Sequence, residues 1–216
     1  MKKLFIGFYN YTVVLTYISL ISAVLGIIAA SRGHYTLAVL CVLASGICDA
    51  FDGAVARTKK NRTDDEKSFG IQLDSICDVI SFGVTPAMIC YFMGVNRGLG
   101  LVVVIFYILA ALIRLSFFNV LEIKRQSQEG GGVTKYYRGL PVTTISIIFP
   151  IIYLFKFLLI NRSFLLLLHI MLLTVGVLFI LDFKIKKICF DKILFHSAPD
   201  SEYEKELVEI SSKSEE

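Results

Sequence analysis

Two stretches of this chain, 145–160 and 164–181, are almost free of polar side chains. About 20 mostly apolar residues are enough to carry a helix across the hydrocarbon core of a bilayer. Buried strands of soluble proteins use much shorter runs. Four further apolar runs come earlier, which gives six expected spans at approximately 12–31, 35–57, 70–93, 98–121, 140–160 and 163–182. No water is available inside lipid, so each span must satisfy its own backbone as a helix. The composition agrees: 56% of residues are hydrophobic and the mean hydropathy is +0.70, against about 45–50% apolar in soluble domains. The expected fold is an all-α integral membrane protein with six transmembrane helices. It forms one domain over 1–182, followed by a charged tail over 183–216. Near the start of the fifth span Pro141 costs little, whereas Pro150 is expected to kink it.

The first run needs separating from a cleavable leader. Lys2 and Lys3 precede it, and Ala29, Ala30 and Ser31 end it like a cleavage site. It is too long for the apolar centre of a signal peptide, so it reads as a retained span. Charge then sets the orientation. Lys2 and Lys3, the 57–69 segment, the 122–139 segment and Lys184, Lys186 and Lys187 fall on one side of a six-span bundle. The opposite loops carry Arg32, Arg97 and Arg162. Cytoplasmic loops are enriched in Lys and Arg, so both termini and the two long loops are expected in the cytoplasm of a cell whose inner membrane holds the bundle.

The net charge of +4 does not resemble a nucleic-acid surface. No basic stripe interleaved with aromatics lies on a polar domain, and membrane lipids are the expected anionic partner. Five cysteines occur without C-x-x-C spacing, and most sit in apolar runs as small hydrophobes. Gly130, Gly131 and Gly132 lack the strand and helix context of a nucleotide fingerprint. The tail turns acidic after 200 and reads as solvated.

Four aspartates carry the chemistry. Asp49 and Asp52 are three apart at the end of the second span, and Asp74 and Asp78 are four apart near the start of the third. These spacings put each pair on one helix face. Consecutive antiparallel helices bring both pairs to one depth, inside the cytoplasmic interface. Bare carboxylates in a membrane cost on the order of a few kcal/mol each, and they repel one another. Hard divalent cations such as Mg²⁺ or Mn²⁺ remove that conflict, and a pair of them would grip a phosphoryl group. Gly53 and Gly70 let a ligand near the backbone. Ala56 is small, and Arg57 supplies a fork for phosphate oxygens.

These residues fill the pattern D-x-x-D-G-x-x-A-R, spacer, G-x-x-x-D-x-x-x-D, with Asp49, Asp52, Gly53, Ala56, Arg57, Gly70, Asp74 and Asp78. The pattern resembles the signature of the CDP-alcohol phosphatidyltransferase family, and the likeness extends over about 10–182. The spacer 58–69 is twelve residues, four longer than the family's usual one. The resemblance implies two divalent cations, Mg or Mn, on Asp49, Asp52, Asp74 and Asp78, with Asp49 and Asp74 bridging. It implies Asp78 as the general base. It also implies a CDP-lipid site from Thr16, Asp52, Gly53 and Arg57, joined by Lys67 or Ser68 from the lengthened loop, and a homodimer.

Within the family, Ser81, Phe82, Gly83, Val84, Thr85, Pro86 and Ala87 resemble a run of the bacterial phosphatidylserine synthases. Arg114 to Asn119 and Tyr137 to Pro141 are similar to two further stretches of theirs, although Phe117 stands where they have a second arginine. This implies CDP-diacylglycerol and L-serine as substrates. Serine brings a carboxylate, and Arg114, Asn119 and Arg138 are the expected acceptor residues. Lys156 is expected to snorkel to the far interface. Competing readings are a sister enzyme acting on glycerol 3-phosphate, inositol phosphate or phosphatidylglycerol, a divalent-cation transporter, and a membrane subunit without chemistry.

Overall fold

The computed structural model describes Gly7 and residues 11–58, 63–127, 136–182 and 184–186. The chain divides into a unit of Met1–Ile185 and a unit of Lys186–Glu216; the described residues belong to the first, apart from Lys186. The loop basic residues 59–62, the glycines at 130–132 and the tail beyond 186 lie outside the described residues.

The first unit is a bundle of helices: α1 (Val14–Ser31), α2 (Tyr35–Thr58), α3 (Asp64–Asp78), α4 (Thr85–Met93), α5 (Leu99–Ser127), α6 (Ile145–Leu154) and α7 (Asn161–Ile180). A π-helical segment, Val79–Val84, joins α3 to α4. Two three-residue strands, β1 (Tyr136–Arg138) and β2 (Lys184–Lys186), pair with each other. Among the described residues five stretches are long and apolar enough to cross a membrane: Val14–Ser31, Tyr35–Gly53, Asp65–Met93, Leu99–Leu121 and Asn161–Ile180. The fifth expected run is shorter. Its apolar helix covers Val142–Phe157, because 3₁₀ turns at Val142–Thr144 and Phe155–Phe157 flank α6. Pro150 lies inside α6.

The third run starts earlier than its hydropathy indicates. Thr63 caps α3, its hydroxyl accepting from the Glu66 amide at 3.2 Å. Thr63, Asp64, Asp65 and Glu66 read as the S/T-x-x-E capping signal, so the helix begins in polar sequence.

Small residues bring α1 and α2 together. Ala23, Gly26, Ala29, Ala30 and Ala38 are buried. A Cβ added to Gly26 would stand 3.1 Å from that of Cys41. Close approach of this kind replaces the hydrophobic drive that lipid removes. Hydroxyls then tie the pair: Ser19 and Ser45 exchange a 2.6 Å bond, and Ser22 donates to the Cys41 carbonyl at 2.9 Å. The aromatic core lies deeper, with Phe82, Tyr107, Phe149 and Phe179 buried between α4, α5, α6 and α7. The outer faces are apolar, with Leu99 81% and Phe157 78% exposed. Surfaces of this kind suit acyl chains rather than water.

Candidate active site

The α1–α2 pair and the last turns of α3 position the acids. Asp49 and Asp52 stand one turn apart in the last part of α2, and Asp74 and Asp78 end α3. Carboxylate oxygens of Asp49, Asp74 and Asp78 all lie within 4.8 Å of one another. Asp49 approaches Asp78, and Asp52 approaches Asp74, at hydrogen-bonding range. Thr16 on α1 donates its hydroxyl to Asp52 Oδ2 at 3.2 Å. Thr16 therefore reaches the cluster through Asp52.

The donor set fits a hard cation. Opposite oxygens on Mg²⁺ or Ca²⁺ stand roughly 4–5 Å apart, comparable to the observed separation. The buried Oδ1 of Asp74 has no hydrogen-bond partner, which leaves a lone-pair acceptor unsatisfied on one of the clustered residues. Asp49, Asp74 and Asp78 form the tight triad, and Asp52 stands beside it. Gly53 is exposed, and a Cβ placed there would have no protein atom within 4 Å. The space beside Asp52 is open to a ligand.

Other expected site residues distribute as follows. Lys67 and Ser68 are exposed near the start of α3, about two turns before Asp74. Arg57 lies in the helical backbone of α2 and Arg138 in β1; their side chains are outside the described residues. Arg114 is buried, 7% exposed. Its Nε–H donates to the Leu140 carbonyl at 3.3 Å, and Asp182 acts on its charge. Gly139, at φ +71, presses against the same guanidinium, and a Cβ there would meet it at 3.3 Å and the Leu181 carbonyl at 2.9 Å. Asn119 lies about one and a half turns further along α5, where its Oδ1 accepts from the Ser75 hydroxyl at 2.6 Å.

Three features of the site escape sequence reasoning. Ser75 lies between Asp74 and Asp78 in the chain and anchors α3 to α5 through Asn119. Asp182 joins Arg114, although nothing in a hydropathy profile pairs them. The π segment opens directly after Asp78; such widened turns often mark functional sites. The buried Tyr107 hydroxyl donates to the Phe82 carbonyl at 2.7 Å, and Thr85 donates to the Ile80 carbonyl at 2.8 Å. The Thr85 amide also donates to the Ile80 carbonyl, so the hydroxyls add to the bonds of the altered turn.

Known proteins share the pattern. The family profile of the CDP-alcohol phosphatidyltransferases matches residues 9–181. A CDP-diacylglycerol–serine O-phosphatidyltransferase of Saccharomyces cerevisiae is 34% identical over 124 residues, 56% of this chain and 44% of the yeast protein. A Helicobacter pylori protein of the same name is 39% identical over 104 residues, 47% of this chain and 42% of its own length. An archaetidylserine synthase of Methanothermobacter thermautotrophicus is 36% identical over 137 residues, covering 63% of this chain and 54% of that protein. The matched part is thus about half the length of each relative. The profile takes in all four clustered aspartates and nearly the whole helical unit, and the chain belongs to the CDP-alcohol phosphatidyltransferase family.

Proposed function

We propose that this chain transfers the phosphatidyl group of CDP-diacylglycerol to L-serine, giving phosphatidylserine and CMP. The convergence of Asp49, Asp74 and Asp78 carries the reading. Three carboxylates held this close inside a helical bundle are ligands awaiting positive charge. Asp49, Asp52, Asp74 and Asp78 would hold two divalent cations, Mg or Mn. When bound, such ions neutralise a diphosphate and its departing CMP.

The chain's own groups do the rest. Gly53 leaves room for the diphosphate, and Arg57, with Lys67 or Ser68, attracts its oxygens. Thr16 orients Asp52 and borders the cytidine end. Asp78 takes the proton of the serine hydroxyl. The serine oxygen then attacks the phosphorus on the diacylglycerol side, and the bond from that phosphorus to the bridging oxygen of CMP breaks. Arg114 and Arg138 receive the serine carboxylate. Arg114 carries a planar fork of five N–H donors, the geometry that suits a carboxylate. Asn119 holds α3 in register through Ser75. Serine appears in the names of both the bacterial and the archaeal relatives, whose lipids differ by name; this supports serine over other acceptors.

In this reading the shorter 142–157 helix completes a six-span bundle over 1–182. Both termini and the aspartates face the cytoplasm from the cell membrane, residues 183–216 form a cytoplasmic tail, and the protein works as a homodimer. A transporter would place its acids nearer mid-membrane; here Asp49 and Asp52 lie in the last part of α2. The test is CMP release by the purified full chain with CDP-diacylglycerol, Mn²⁺ and one alcohol at a time. Release with serine alone is expected. Release only with glycerol 3-phosphate or inositol phosphate would reassign the acceptor, and no release with any alcohol would remove the enzymatic reading.

A further inference from the structure

The opposite end of the bundle holds a second polar constellation. A cavity of about 590 Å³ is lined by Gly33, His34, Tyr35, Thr36, Leu37, Leu40, Tyr153 and Lys156. It lies where α1 turns into α2, facing the 3₁₀ turn after α6. Along α2, Thr36 is about 24 Å from Asp52, so this cavity is separate from the aspartate site. Its volume falls within the roughly 300–1,000 Å³ typical of small-molecule sites.

Lys156 is exposed, and its ammonium also meets two aromatic rings. Its Nζ stands 5.2 Å from the ring centroid of Tyr35 and 5.2 Å from that of Tyr153. It also reaches the Tyr153 hydroxyl at 3.4 Å. The two rings are fixed in turn: Tyr35 donates to the Phe92 carbonyl at 2.8 Å, and the Tyr153 and Thr36 hydroxyls share a 3.0 Å bond. Cation–π contacts of this kind position an ammonium, but they do not neutralise it. No Asp or Glu occurs in 1–48, 79–121 or 130–181. These segments supply every described residue at this end, together with Arg32, His34, Arg97 and Arg162. Lys156 is itself exposed, and among the described residues at this end no carboxylate stands near its ammonium, which leaves the charge available to an anion from outside.

The lining also indicates what brings that charge. Leu37 and Leu40 are each 54% exposed at the cavity edge, and Leu154 is 61% exposed beside Tyr153. A ligand here meets a cation and hydroxyls on one side and lipid-facing leucines on the other. Free phosphate would leave the leucines unused. We propose that this cavity binds the phosphate of an anionic phospholipid from the leaflet opposite the aspartates, with Lys156 as its charge partner and Leu37 and Leu40 along its acyl chains.

The test uses the purified full chain in nanodiscs doped with a photoactivatable phosphatidylglycerol or the matching phosphatidylcholine, followed by peptide mapping. Phosphatidylglycerol is expected to label peptides containing residues 33–40 and 151–158 several times more than phosphatidylcholine does. Lys156→Gln is expected to cut that labelling by about fivefold to tenfold, while Lys156→Arg preserves it. Tyr153→Phe, which keeps the ring and loses the hydroxyl, is expected to fall between them. It gives a second reading if Lys156→Gln does not elute as a folded protein. Equal labelling by the two lipids, or undiminished labelling in both the Lys156→Gln and Tyr153→Phe proteins, overturns the proposal. Loss of labelling on adding millimolar inorganic phosphate to the wild type replaces the lipid with a free anion and also overturns it.

Discussion

The two ends of the bundle solve opposite charge problems in different ways. At one end, α2 and α3 converge four acids, three of them within 4.8 Å, with the buried Asp74 Oδ1 lacking a partner. At the other, basic residues are dispersed over separate turns, and Lys156 rests against aromatic rings. Dispersed charge is tolerated in interfacial water and needs little from the fold. Convergent charge is costly, and a chain retains it only where ligands compensate. The difference teaches where chemistry is to be expected: at convergent acids that call for a compensating ligand, ahead of charges spread over separate turns.

The comparison breaks first at Asp78. Asp78→Asn is expected to lower CMP formation by about a thousandfold, within the range for losing a general base, while CDP-lipid binding largely survives. Melting of the protein without divalent cations is expected at an unchanged or higher temperature, since the substitution relieves repulsion. Comparable activity in the variant would remove the base assignment, and a collapsed melting temperature would make the acids structural. Next, Arg114→Ala is expected to raise the KM for serine by about tenfold to a hundredfold, the worth of a charged hydrogen bond, with a smaller change in the KM for the CDP-lipid. Equal effects on both substrates would show that Arg114 supports the fold instead.

The middle of the bundle sharpens the contrast, because it should carry stability without chemistry. A Cβ at Gly46 would collide with the Ser146 side chain on α6. Gly46→Ala is expected to destabilise the protein by about 1–3 kcal/mol, as overpacking does, with unchanged turnover per folded molecule. Denaturant titration beside activity would check it. The smallest effect is expected from Tyr107→Phe. Losing the hydroxyl that meets the Phe82 carbonyl should cost about 1 kcal/mol, visible as a modest drop in melting temperature.

The convergence of acids was legible in the chain because spacing of three and four fixes helix faces and adjacent spans lie antiparallel. Hydropathy likewise located five long spans. It missed the polar first turns of α3, where the cap at Thr63 rather than apolar content sets the boundary. It also gave no measure of how short the helix around Pro150 is, since composition does not separate α from 3₁₀ turns. The bond from Ser75 to Asn119 and the grouping of Arg114, Leu140 and Asp182 join residues far apart in sequence. No local pattern announces such pairs. Lys156 shows the same limit: an apolar run with one lysine reads as a snorkelling residue, and only the fold supplies the two tyrosines.

The widened turn at Val79–Val84 has a mechanical consequence. An α-helix advances by about 100° per residue, so accommodating one extra residue slips the phase of everything downstream. Upstream, Asp74 and Asp78 can swing toward the carboxylates of α2. Downstream, Phe82, Thr85 and Ile89 stay seated in the interior. Deleting one residue there would force both halves onto a single azimuth, and either the acids or the buried aromatics would have to give way.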